Sequence, residues 1–203
     1  SPPVTASINR DALLASAAHA LQSGDAHGAR NAAEQWLAHD MRSAHAHLVL
    51  GAAYQLQDDA TTAELAGTGF ESAQRLGAAG PWPHYLLGID LLRQQRAQNA
   101  TEAFARAVIE APDAAWAHEG LAAAAYLAGD IVLAREAAMR AHALDRASPV
   151  AWRNAVLTTA GSSDPAATGT LLANAPATIA DDQRRWVGQR ADALLRTALL
   201  DDA

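Results

Sequence analysis

The chain has 203 residues, half of them hydrophobic, and a formal net charge of −7 at pH 7. This length suits one compact domain or a short array of repeats, and the negative charge disfavours nonspecific binding to nucleic acid. The sequence contains no cysteine, which excludes disulfides, thiolate metal sites and a cysteine nucleophile. No apolar run approaches the roughly 18 residues of a membrane-spanning helix.

The chain begins with "SPPVTAS" and without a methionine. Such a start is typical of a mature or trimmed protein, so we expect that a signal peptide or anchor has been removed. All the basic residues are arginines, a bias that indicates a GC-rich genome. Together with the lack of cysteine, these features favour a periplasmic or envelope-associated protein over a cytoplasmic one.

The first predicted unit runs from 10 to 43 and reads as two helices separated by Gly24-Asp25. Glycine readily ends a helix, and aspartate caps the N-terminus of the next one. The same Gly-Asp pair, Gly129-Asp130, divides a later unit. We therefore predict a pair of helices in each of these units.

The second unit runs from 44 to 80 and is three residues longer than its neighbours. Its stretch "AGTGF" follows no strand, so we read it as part of a weak helix rather than as a nucleotide-binding loop, since each glycine costs about 1 kcal/mol relative to alanine. The acid pairs Asp58-Asp59 and Asp181-Asp182 lie at predicted helix starts. Negative charge there offsets the helix dipole, and no pair is poised for acid-base chemistry.

The third unit, 81 to 114, and the fourth, 115 to 148, establish the period of the sequence. Trp82 and Trp116 are 34 residues apart, as are His84 and His118. We predict that Asn99 caps the second helix of the third unit, so that its glycosylation sequon is a helix cap instead. A self-similar period of this length is the signature of a repeat array.

Small residues recur where the two helices of a unit must approach closely. Ala17 and Ala29 are 12 residues apart, and the pairs Gly88–Ala100 and Ala122–Ala134 repeat this spacing. In the second unit the corresponding pair is Gly51 and Ala66, which are 15 apart. This difference places the three extra residues between Gln57 and Ala66.

The end of the chain departs from the period. A degenerate fifth unit runs from 149 to 176, and we predict that Gly169 breaks its short second helix. The range 177 to 203 is predicted to form a capping helix from Asp181 to Leu200. Its inward residues would be Leu194, Leu195, Ala198 and Leu199, and its exposed residues would be Arg184, Arg185, Arg190 and Arg196.

These patterns resemble the tetratricopeptide repeat (TPR), with Leu-Gly and Tyr in helix A, Ala and an aromatic residue in helix B, and Pro at the end. "HLVLGAAY" from 47 to 54 and "HYLLGIDLL…AFARAVIEAP" carry the resemblance best. It implies an all-α fold in which stacked antiparallel helix pairs form a right-handed superhelical solenoid. Residues 1–203 would form a single domain of about five repeats plus the capping helix.

Catalytic and metal sites find little support in the sequence. The eight histidines show no HxxxH or HExxH spacing, and His45 and His47 point to different faces of a helix. The serines at 162 and 163 have no histidine near them in sequence. We therefore predict no catalytic residue, no metal and no cofactor.

The resemblance instead implies a concave groove, lined by the A helices, that binds a peptide or helix of a partner. Trp82, Tyr85, Trp116 and Tyr126 are expected to form an aromatic cluster on adjacent A helices, with Arg93 and Arg153 facing an acidic partner. The remaining predicted groove residues are His45, Leu48, Gln55, Ile89, Leu92 and Glu119. An alternative role for the rings is to fill gaps between repeats.

The sequence thus favours a noncatalytic protein-interaction scaffold. The composition suggests a high-GC bacterium, and the resemblance to exported tetratricopeptide proteins implies a role in assembly of a bacterial pilus, secretion or other envelope complex. Two alternatives remain open: a structural module that associates with itself, and an accessory domain of a larger envelope protein or enzyme. Cochaperone function is disfavoured because there is no lysine, and alanines stand at 52 and 123 where the carboxylate clamp of such proteins has asparagine.

Overall fold

The computed structural model describes residues 10–201, and every regular element in this range is an α-helix, as predicted. "SPPVTAS" lies outside the described residues, as do the side chains of Ala198 and Leu199. The helices are α1 (Arg10–Gln22), α2 (Ala26–His39), α3 (Ala44–Gln57), α4 (Ala60–Arg75), α5 (Trp82–Arg93), α6 (Ala97–Glu110), α7 (Ala115–Leu127), α8 (Ile131–Leu144), α9 (Pro149–Gly161), α10 (Pro165–Ala173) and α11 (Asp181–Asp201).

The helices group into two compact units, the first ending at Gln95 and the second beginning at Arg96. In the first unit, each helix from α1 to α5 packs on the next. In the second unit, α6 to α10 pack in the same sequential manner, and α11 lies chiefly on α9. Two helices lie within each predicted repeat range, although the repeat boundaries and the single domain stay predictions. No helix of the described range is long and apolar enough to cross a bilayer.

The Gly-Asp turns have the conformation that the sequence predicts. Gly24 and Gly129 adopt left-handed backbone angles, with φ of 75° and 85°. Asp25 then accepts a hydrogen bond from the Gly28 amide, and Asp130 accepts one from the Leu133 amide. Each aspartate satisfies an amide that the first turn of a helix otherwise leaves unpaired.

Two local predictions are wrong. Asn99 does not cap α6, because Gln95 takes a left-handed conformation (φ 59°) and the helix begins at Ala97, which places Asn99 inside the first turn. Gly169 does not break the second helix of the fifth unit, because α10 runs through it. Gly169 is exposed and has no side chain near it, so the only cost is the intrinsic preference of glycine against the helix.

Alanine dominates the core, and the alanines predicted at the contacts between paired helices are buried. Ala17, Ala29, Ala122 and Ala134 are each exposed to 1% or less. Ala29 and Ala134 are the fourth residues of their helices, whereas Ala66 is the seventh residue of α4. The three-residue insertion therefore lengthens the N-terminal end of α4, within the range that the sequence predicts.

Phenylalanine rings occupy the spaces that glycines leave open. A methyl group at Gly51 would lie 2.7 Å from the Phe70 ring, and one at Gly120 would lie 2.6 Å from the Phe104 ring. Both rings are almost completely buried. The glycines thus let a helix rest directly on an aromatic face, in a core that otherwise has few large side chains.

Candidate partner-binding surfaces

The histidines near the start of the A helices (α3, α5, α7 and α9 are the first helices of their pairs) have structural roles. His47 Nε2 lies 3.0 Å from the carbonyl oxygen of Met41, and His118 Nε2 lies 2.8 Å from that of Pro112. Each histidine ties the first turn of its helix to the segment six residues earlier. No group of histidines and acids in the described range is arranged to hold a metal.

In the first unit, the predicted groove residues lie on α3 and α5. Trp82 is 49% exposed, and its ring meets that of Tyr85 edge to face, with centroids 6.0 Å apart. Further toward the N-terminus, His45 is exposed and packs beside Trp36 at 5.6 Å. Leu48, Ile89 and Leu92 are half-buried. These side chains give the unit an aromatic and aliphatic surface.

Gln55 and Arg93 join α3 to α5 within the protein. The Gln55 amide donates to the carbonyl of Leu86 at 2.9 Å, and Arg93 donates to the carbonyl of Gln55 at 2.6 Å. Arg93 also lies 3.4 Å from a carboxylate oxygen of Asp58. Both side chains therefore have intramolecular partners, which reduces what they offer to a ligand.

Asp90 is a buried carboxyl group on α5. Only 1% of it is exposed, and one oxygen accepts a hydrogen bond from the Gln94 amide while the other has no partner. Burial raises the pKa of Asp90 above its ordinary value, against the opposing effects of Gln94 and the Arg93 charge. The side chain lies beside Gly67 of α4, so it belongs to the packing of the first unit rather than to its surface.

In the second unit, the four predicted groove residues do not form one cluster. Trp116 lies in the first turn of α7 and Tyr126 in its last turn, about 15 Å apart along the axis. Glu119 accepts a hydrogen bond from the Ser148 hydroxyl at 3.0 Å, which ties α7 to the N-cap of α9. Tyr126 and Arg153, in contrast, line two cavities beside α11.

The first of these, the α7 cavity, has a volume of about 530 Å³. It lies among α7, α9 and α11, and most of its lining is apolar. Tyr126 and Leu127 come from α7, and Trp186 and Arg190 come from α11. The other lining residues are Ala122, Ala123, Asn154, Leu157, Thr158 and Leu194. Its volume falls within the usual range for ligand-binding pockets.

The second, the Ile179 cavity, has a volume of about 470 Å³ and lies between the N-terminal halves of α9 and α11. Arg153 and Trp186 line it together with Pro149, Val150, Ile179, Asp182, Gln183 and Val187. Trp186 is 54% exposed and belongs to both cavities. We call the two cavities together the Trp186 groove.

The sequence-based prediction missed Trp186 and Arg190 as groove residues, because it treated α11 only as a cap. The signal was present: Trp186, Arg190 and Leu194 are spaced four apart and therefore share one helix face. The four arginines predicted to be exposed on α11 are exposed, and Leu194 and Leu195 are half-buried, while the capping role of the helix stays a prediction. What the pattern did not indicate is that this face borders a groove.

Comparison with solved structures identifies the fold. The chain resembles PilF of Pseudomonas aeruginosa, with a TM-score of 0.74 at 17% identity, covering 95% of this chain and 89% of that one. It resembles MamA from Desulfovibrio magneticus RS-1, with a TM-score of 0.68 at 17% identity over 91% and 96% of the two chains. YrrB, a TPR protein with an unusual peptide-binding site, gives 0.66 at 19% identity over 90% and 88%.

These likenesses define the class: the chain has the fold of tetratricopeptide repeat proteins, stacked helix pairs without strands in the described range. The predicted fold class and resemblance are confirmed at this level. Neither a protein-family model nor a curated protein sequence matches the chain. At under 20% identity, the structural likeness concerns the fold alone, and function has to be argued from the surfaces described above.

Proposed function

We propose that this protein is a noncatalytic scaffold that holds an extended or helical segment of a partner protein against its A helices. The observation that carries the proposal is the exposure of large aromatic side chains on those helices. Trp82 is 49% exposed and Tyr126 is 44% exposed. Half-exposed tryptophan and tyrosine are the side chains that most often dominate the free energy of protein interfaces.

The fold supports this proposal. YrrB, which shares it, is a TPR protein with an unusual peptide-binding site, and arrays of helix pairs present extended surfaces that suit peptides. We further propose that the partner belongs to an envelope complex such as a pilus or a secretion apparatus. The support for this narrower assignment is compositional, namely the absence of lysine and cysteine, and the likeness to PilF extends it only at the level of fold.

A comparative pull-down tests the proposal. The wild-type protein and a Trp82→Ala/Trp116→Ala variant serve as baits for an envelope extract, and recovered proteins are quantified by mass spectrometry. Val132, which is 74% exposed on α8, gives a matched control as Val132→Ala, since it removes an exposed apolar side chain from a B helix. We expect the double variant to lose specific proteins that the control retains.

Recovery of the same proteins by all three baits would contradict the assignment of the A-helix surface. Light scattering on the same samples addresses the alternative of self-association. A stable oligomer that dissociates in the Trp82→Ala/Trp116→Ala variant would indicate a structural module instead of a partner-binding scaffold.

A further inference from the structure

The Trp186 groove is lined by one stripe of residues from each of three helices, α7, α9 and α11, together with Ile179. On α9 the lining residues Val150, Arg153 and Leu157 follow helical spacing, and on α11 Trp186, Arg190 and Leu194 do the same. Helix α11 is fixed beneath this face by Val187 and Ala191, which are exposed to 1% or less. Because the helix is anchored by other residues, its Trp186 side chain is free to line both cavities.

The side chains that line the groove carry more positive than negative charge. Arg153 lines the Ile179 cavity and Arg190 lines the α7 cavity. Neither makes an ion pair with another described side chain, and both are exposed. Asp182 is the acidic residue of the lining, and its charge is offset by its position in the first turn of α11.

This local positive charge contrasts with the chain as a whole, whose net charge is −7. Two arginines on either side of an exposed indole offer a carboxylate two planar donors, and desolvation by the neighbouring apolar walls strengthens such bonds. The apolar walls on both sides of Trp186, including Leu157 and Ile179, are suited to large aliphatic or aromatic side chains.

From this geometry we propose that the Trp186 groove binds a partner segment in which an acidic side chain lies between two large apolar side chains. The apolar side chains enter the α7 cavity and the Ile179 cavity, and the carboxylate meets Arg153 and Arg190 beside Trp186. This inference rests on the proposed function and adds to it a location, in the second unit, and a partner chemistry.

A defined peptide probe tests the inference. A random dodecapeptide library displayed on phage is selected on the immobilised wild-type protein, and the consensus is synthesised with a fluorescein label. We expect a consensus that contains Asp or Glu flanked by Leu, Ile, Phe, Tyr or Trp. We expect Trp186→Ala to weaken its binding, measured by fluorescence anisotropy, by about 30-fold or more, as for an interface hot spot.

Substitutions of the two arginines test the contribution of charge to binding. Arg153→Gln and Arg190→Gln are each expected to weaken binding about tenfold or more, and a peptide with its Asp or Glu replaced by Asn or Gln should bind all three proteins with similar low affinity. Arg146→Gln is the matched control, since Arg146 is exposed and lines neither cavity. These substitutions are on the surface, and circular dichroism verifies that each variant is folded.

The outcomes separate this inference from the broader proposal. A consensus without acidic residues, or binding that Trp82→Ala abolishes and Trp186→Ala leaves unchanged, overturns the Trp186 groove but leaves a partner-binding scaffold. Recovery of no binding peptide counts against both. An oligomer that dissociates in Trp186→Ala would show that a second copy of the chain occupies the groove, and would overturn the assignment to a partner segment.

Discussion

Gly51 and Gly69 meet backbone to backbone where α3 crosses α4. A methyl group at Gly69 would lie 2.8 Å from the Gly51 Cα and 2.9 Å from its nitrogen. Backbone atoms cannot move aside as a flexible side chain does, so the crossing requires glycine on α4. Gly69 belongs to the stretch "AGTGF", which in sequence predicts only a weak helix. The glycine that weakens the helix is the residue that the close crossing requires.

Substitution of Gly69 tests this contact. We expect Gly69→Ala to lower the free energy of unfolding by about 1–3 kcal/mol, since overpacking outweighs the gain in helix preference. Gly169→Ala is the control, because Gly169 lies within α10 and a methyl group there would meet no packed neighbour within 4 Å, and it should raise stability by about 0.5–1 kcal/mol. Urea denaturation measures both, and equal effects in the two variants would contradict the assignment.

The buried carboxyl of Asp90 predicts a stability that depends on pH. Because burial raises its pKa, the folded protein retains the proton where the unfolded chain has lost it. The stability that the protonated Asp90 carboxyl contributes is therefore fully present below the ordinary pKa of 3.8. It is lost as the pH rises through the raised pKa of the folded state. Above that range the buried site disfavours the ionised form of the carboxyl, so the first unit is less stable than at low pH.

Asp90→Asn removes this ionisation. We expect the variant to be more stable than the wild type at about pH 7, by roughly 1 kcal/mol or more, with a difference that shrinks as the pH falls through the window below the raised pKa. Urea titrations across this range measure the difference. Glu102→Gln, a substitution at an exposed site, controls for the loss of a negative charge. A stability difference for Asp90→Asn that does not depend on pH would contradict the prediction.

Trp152 is expected to hold the fifth helix pair together. Its side chain is fully buried, and its Nε1 donates to the carbonyl oxygen of Leu171 at 2.7 Å. Trp152→Phe shortens the buried ring and removes its donor, so the Leu171 carbonyl keeps only the bond from the Asn174 amide at 3.2 Å, and we predict a loss of about 1–3 kcal/mol in the free energy of unfolding. Trp186→Phe, at a 54% exposed site, should change stability little, and chemical denaturation compares the two.

Arg93 is predicted to contribute to stability through its bond to Gln55. Arg93→Met removes the donor from a carbonyl 2.6 Å away, but 39% of the side chain is exposed, which weakens the electrostatic part. We expect a loss of about 1 kcal/mol, measured by urea denaturation. Arg42, which is exposed, is the control as Arg42→Met; if both cost the same, the bond does not stabilise the unit.

Much of the fold could be predicted because each repeat needs the same type of residue at the same position. The Gly-Asp turns and the buried alanine pairs each follow from local chemistry, and their recurrence at one spacing identifies them. Asn99 failed for the opposite reason. The turn before α6 is made by a non-glycine residue, Gln95, with φ of 59°, and a polar residue in such a conformation leaves no distinctive mark in the sequence.

The candidate surface was predictable only in part. Aromatic residues on the A helices follow from the repeat pattern, but which of them have intramolecular partners depends on side-chain geometry, as the bonds of Gln55 and Glu119 show. Trp186 was missed because α11 lies outside the repeat, so no equivalent position indicated what its exposed face would border. The repeat period predicts contacts within the array but gives no information about α11, which follows the last repeat.

The position of the three-residue insertion has a practical meaning. The extra residues lengthen α4 ahead of Ala66, while the turn before it has only two residues and the part of the helix after Ala66 is one residue shorter than the part of α2 after Ala29. The second repeat thus accommodates its three additional residues as a longer α4, on the N-terminal side of the crossing at Ala66. The start of a second helix, rather than the turn that precedes it, is where a spectroscopic label or a short graft should be tolerated in the other repeats.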